Sequence, residues 1–135
     1  MTTYRHLLSS YRATLAPVAA HERDGRARHY PGQIERREID AEEAHADWAA
    51  WSAIQTWLSS GAKPAWIEWE AMVEVAAKAL ERRRAASNAA PADQGLAARR
   101  DAVAAIHGIL ADHRAWLIAM TEQLRADARL RRAAA

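Results

Sequence analysis

The chain has 135 residues, a length that supplies one hydrophobic core, so a single domain over 1–135 is expected. Half of it is apolar, with no Phe, so six Trp and three Tyr carry all the aromatic volume, and the net charge is only +2. Without Cys there are no disulfides, thiolate metal sites or Cys nucleophiles. No apolar run approaches the roughly 18 residues that a membrane span requires, and residues 1–6 lack the apolar stretch of a secretion signal. A cytoplasmic protein, in a bacterial or phage-infected cell, with no membrane contact is the expectation.

Ala, Leu, Glu, Arg and Gln are strong helix formers and together far outnumber Val, Ile and Thr. The fold class is therefore all-α: an antiparallel bundle of about four main helices. The first is read from the apolar stripe Tyr4, Leu8, Tyr11, Leu15 and Val18, with Thr2 or Thr3 as its cap. Pro17 should kink that helix or restart it. The charged stretch 21–29 reads as helical but poorly anchored, and Tyr30, Pro31 and Gly32 read as a break.

Asp40 followed by Glu43 has the spacing of a capping box, with Ile39 as the preceding apolar residue. A second helix is expected from Ala41 to the stop at Gly61. Its apolar residues cover more than half its circumference, which requires more than one neighbour. Pro64 is expected to open a third helix in its first turn, closing near residues 87–91. That register would put Trp66, Trp69, Val73, Ala76 and Leu80 on one side and leave Ile67 and Val75 outside.

Asp93 should cap the last and longest helix. Leu96, Val103, Leu110, Leu117 and Leu124 recur every seven residues, with Ile106, His113 and Met120 at the second seam position. This heptad stripe predicts coiled-coil-like antiparallel packing.

Two readings of the tryptophans compete. Large rings can fill the space between Ala-lined helices, or some can belong to a protein–protein interface, where Trp and Arg are common anchors. Trp48, Trp57, Ile67, Val75, Trp116, Ile118 and Leu130 lie off the centres of their helical stripes. The first six are the interface candidates, and a homodimer is the simplest way to cover such a surplus.

All basic residues except Lys63 and Lys78 are Arg. A GC-rich genome produces that bias; so does selection for phosphate binding. Arg36, Arg37, Arg82, Arg83, Arg84, Arg99 and Arg100 would gather at one pole of the bundle and form a nucleic-acid candidate surface, set against Glu35, Glu38, Asp40, Glu42 and Glu43 at the same pole. Catalytic signals are lacking. There is no Gly-x-Ser-x-Gly elbow, no Gly-rich phosphate loop, and a single Glu-x-x-His (Glu42, His45) where a di-iron bundle uses two. No metal and no cofactor are expected.

The segment Arg26-Ala27-Arg28-His29-Tyr30-Pro31, continuing through Ile34, Ile39, Glu43-Ala44, Asp47, Trp51 and Ala53-Ile54, resembles a pattern in small phage and prophage proteins. An Arg-rich helix there leads into Tyr-Pro, then a short turn, then a helix ending in Trp- or Met-x-Ala-Ile. The match spans about thirty residues and departs at Arg37, where Gly is more usual. It implies a phage or mobile-element origin and assigns no activity. A non-enzymatic protein-interaction role, as a modulator or inhibitor of a host system or as an assembly accessory, is the leading expectation. Arg-mediated nucleic-acid binding is the alternative.

Overall fold

The computed structural model describes residues 4–135, so the proposed cap at Thr2 or Thr3 lies outside the described residues. A short 3-10 turn at Arg5–Leu7 precedes four helices: α1 (Ser9–Glu35), α2 (Ala41–Ser60), α3 (Trp69–Ala89) and α4 (Gln94–Ala134). The protein is an all-helical bundle, and no described residue is in a strand. None of its helices is long and apolar enough to cross a membrane among the described residues.

Two antiparallel hairpins make the bundle. In the first, Arg12 of α1 lies beside Gly61 at the end of α2, and Arg26 meets Asp47 near the start of α2. In the second, Glu70 pairs with Arg114 and Ser87 with Arg100, so α3 and α4 also run in opposite directions. α2 faces α3 and α1 faces α4 across the joint, whereas no Cα of α1 comes within 8 Å of one in α3.

α2 packs against both α1 and α3, as its broad apolar circumference requires. Ala44, Ala50, Trp51, Ala53, Ile54, Trp57 and Leu58 are all buried. The Asp40 carboxylate accepts from the Glu42 and Glu43 N–H groups, satisfying donors that an uncapped first turn would leave orphaned. Gly61 ends the helix at φ 78°, a left-handed position that costs Gly little. Asp93 caps α4 through the Leu96 N–H.

Several expected boundaries are overturned. α1 runs unbroken through both Pro17 and Pro31, so neither the restart at Pro17 nor the break at Tyr30-Pro31-Gly32 occurs. The helix ends instead at Glu35, and the turn follows in residues 36–40. A proline inside a helix forfeits one backbone bond and strains the turn before it, but tertiary packing along this length outweighs that local loss. Residues 21–29 are not loose either. Glu22 is buried there, and its carboxylate holds Arg26 and Arg83. Of the first predicted stripe, Leu15 is buried and Tyr11 and Val18 pack against the core, while Tyr4 and Leu8 precede the helix and are exposed.

Pro64 does not open α3. Residues 62–68 form a non-helical connection, closed by the Lys63 ammonium, which donates to the Pro64 and Ile67 carbonyls. Because these residues lack helical phase, the expected facing is reversed at Trp66 and Ile67, whereas Trp69, Val73, Ala76 and Leu80 face the core as expected. Trp66 is 64% exposed, and Ile67 is buried in the core.

Arg37 is the one non-glycine residue with positive φ, 59°, among the described residues. That position of the turn is left-handed, which explains in physical terms why Gly would be at ease there.

Candidate functional site

Two features stand apart from the ordinary core. The first is a cleft of about 700 Å³ between the C-terminal half of α1 and α3, at the place where those two helices diverge. α1 contributes a face with helical spacing, including Glu22, Arg26, Arg28, His29, Tyr30 and Gln33. Ala79, Arg82 and Arg83 come from α3 and Arg99 from α4.

The inner wall is a closed ionic network. The Glu22 carboxylate accepts from Arg83 Nη2 at 2.8 Å and from Arg26 Nη1 at 2.8 Å. Arg26 also pairs with Asp47, which accepts in addition from the Tyr30 hydroxyl at 2.5 Å. Burial and that bond to Asp47 push the Tyr30 pKa up to about 12. The Arg26 guanidinium lies 4.9 Å over the Trp51 ring, which fixes it from the core side. Two cations and two carboxylates cancel here. The outer wall differs: among the described residues no carboxylate comes within salt-bridge distance of Arg28, Arg82 or Arg99.

Only part of the expected arginine pole is therefore assembled. Arg82, Arg83 and Arg99 share the cleft; Arg36 is held by Glu38, Arg100 bonds Asp101 and Ser87, and Arg37 and Arg84 lie outside the lining. Arg26, Arg28 and Tyr30 belong to the cleft and were missed. The signal available in the sequence was the Glu22–Arg26 spacing of four, which favours a continued helix. It was overridden by the Tyr-Pro-Gly string.

The second feature is the C-terminal part of α4. Its buried residues are Val103, Ile106, Ile109 and Leu110, and none follows. His113 and Trp116 are the last to be packed, in a ring cluster with His6, Trp57 and Trp69. At 1.5 Å per residue the remaining stretch, 117–134, extends about 27 Å further. Leu117 is half-buried, while Ile118, Met120, Leu124 and Leu130 are exposed, Leu130 to 69%. Leu117, Met120 and Leu124 continue the seam formed inside the bundle by Val103, Ile106 and Leu110, and Glu122, Arg125 and Arg129 lie on the opposite side by helical spacing.

The interface candidates divide accordingly. Trp57 is 1% exposed: Trp69 meets it edge-on at 5.2 Å, His113 lies 5.0 Å away, and Arg12 covers it at 5.6 Å. It is a core residue because Trp69 of α3, His113 of α4 and Arg12 of α1 close over the flank of α2 that seemed free, and Ile67 is a core residue as well. Val75 is half-buried against the core and Trp116 half-buried against His6 and His113. Trp48 remains 37% exposed, beside a 270 Å³ apolar hollow with Tyr30, Pro31, Ile34 and His45. Ile118 is exposed away from the α4 stripe, on the face it shares by helical spacing with Glu122, Arg125 and Arg129. Glu42 and His45 are both exposed on α2.

No protein-family model, curated protein or solved structure matches this chain.

Proposed function

We propose that this is a non-catalytic interaction protein whose contact surface is the apolar stripe at the end of α4, and that a second copy of the chain covers it in a two-fold dimer. One observation carries the reading: the heptad seam continues past the last buried residue, Leu110, as Leu117, Met120 and Leu124. Each apolar side chain of this size contributes roughly 1.5–3 kcal/mol when removed from water, so a stripe left wet is a surface suited to a helix. An antiparallel pairing of two such segments is the helix-on-helix solution that the same seam already uses within the bundle.

The phage-like pattern of residues 26–54 fits such a role in a bacterial or infected cell's cytoplasm, as a modulator or inhibitor of a host system or as an assembly accessory. Arg-mediated nucleic-acid binding draws less support. Four of its seven arginines, Arg36, Arg37, Arg84 and Arg100, lie outside the cleft, and two of these are already held by carboxylates.

Sedimentation equilibrium over a wide concentration range tests the proposal. A monomer–dimer equilibrium is expected, abolished by Leu117→Glu with Leu124→Glu and unaffected by Leu130→Glu. A strict monomer, or a dimer indifferent to the first pair of changes, sinks it.

A further inference from the structure

The dimer reading leaves the cleft between α1 and α3 unused. Arg28, Arg82 and Arg99, three exposed arginines with no carboxylate within salt-bridge distance among the described residues, line one concavity from three different helices. Convergence of like charge raises the potential in a recess, because low-dielectric walls focus the field there. Solvated surface arginines gain nothing from such an arrangement. An anion that accepts from several forks at once does.

We propose that this cleft binds the phosphate groups of a nucleotide-sized ligand. The volume, about 700 Å³, suits a small molecule. The concave shape between helices suits a terminal phosphate or a short polyphosphate, whereas a duplex backbone needs a long outward ridge of cations. Ionic pairing sorts the arginines by role. Arg26 and Arg83 are fixed by the buried Glu22 and form the rigid inner wall, while among the described residues no carboxylate holds Arg28, Arg82 or Arg99. Beside them, the Tyr30 ring and the Ile39 and Ala79 side chains supply an apolar floor for the remainder of the ligand. A phosphate carried by a free nucleotide and one at the 5′ end of a nucleic-acid strand offer the same chemistry.

Isothermal titration at low salt, using pyrophosphate, ATP, and one oligonucleotide with and without a 5′-phosphate, tests the site. Saturable one-to-one binding of pyrophosphate or ATP is expected. Arg82→Glu with Arg99→Glu should weaken it by roughly tenfold or more, since each loses a charge-assisted contact. The control pair Arg131→Glu with Arg132→Glu, on the far end of α4, should leave it within about twofold, the sequence-independent background that a change in net charge brings. Arg82→Lys with Arg99→Lys keeps the charge and should restore part of the loss, which guards against a folding defect. Binding of the oligonucleotide only when 5′-phosphorylated, and displaced by pyrophosphate, would assign the strand-end source and support the site. No binding of pyrophosphate or ATP at millimolar concentration overturns the proposal. So does equal weakening by both Glu pairs, or oligonucleotide binding that ignores the 5′-phosphate and pyrophosphate. Because the cleft lies far from the α4 stripe, Arg82→Glu with Arg99→Glu should leave the oligomeric state unchanged, so each reading fails separately.

Discussion

His6 and His113, 107 positions apart, share one hydrogen bond: their Nδ1 atoms lie 3.0 Å apart. One ring must donate and the other accept, so a single proton sits between them and the bond cannot survive protonation of both rings. Burial lowers both pKa values; for His113, pushed down to about 4, the neighbouring His6 and Arg12 add to the effect. The pair staples the N-terminal turn to α4 beside Trp116 and Trp57.

Stability should therefore fall on acidification in a defined window. The unfolded chain takes up a proton on each ring near pH 6.5, whereas the folded chain resists until about pH 4 at His113. Between those values the unfolded state binds more protons, so stability is full above about pH 6.5 and is lost progressively toward about pH 4. Thermal melts from pH 7.5 to 5 should show a steeper decline for the parent than for His113→Phe. Parallel curves would mean that the pair is already protonated or absent in solution.

Trp51 is fully buried, and its indole N–H has no hydrogen-bond partner among the described residues. Trp51→Ala should cost about 3–5 kcal/mol, the range for emptying a large aromatic site. Trp51→Phe should cost much less, since no hydrogen bond is lost with the indole. Urea denaturation measures both. Equal losses would show that the bulk of the ring is not what the core requires at this position.

Glu22 is the only buried carboxylate among the described residues, and it serves two guanidiniums on two helices. Glu22→Ala should cost about 3 kcal/mol, the low end for breaking a buried pair, because Arg26 keeps Asp47 and Arg83 can turn to water. A double-mutant cycle with Arg83→Ala should show strong coupling. Additive losses would place the effect in packing alone.

Backbone conformation supports a paired prediction of opposite sign. Gly61→Ala should destabilise by about 1–2 kcal/mol, because a side chain at φ 78° is strained and its Cβ would sit 2.8 Å from Arg12 Nη2. Arg37→Gly should stabilise by up to about 1 kcal/mol by relieving the φ of 59°. Melting temperatures moving in the same direction for both would contradict the turn geometry.

Local chemistry was sufficient for much of the fold. The Asp40 and Asp93 caps, the Gly61 stop, the extent of α2 and the heptad seam of α4 are all short-range signals, because each rests on backbone groups within a turn or on side chains one helical repeat apart. Tertiary contacts decided what those signals could not. Pro17 and Pro31 stay within α1 because Leu15, Ala19 and Glu22 are held by other helices, and Trp57 is buried because Trp69, His113 and Arg12 close over it. Ile67 replaces Trp66 in the core because residues 62–68 are bridged by Lys63 rather than wound into a helix. The arginine cleft draws on α1, α3 and α4, helices that converge only after folding, so a sequence window that sees one helix at a time shows charged runs and no site.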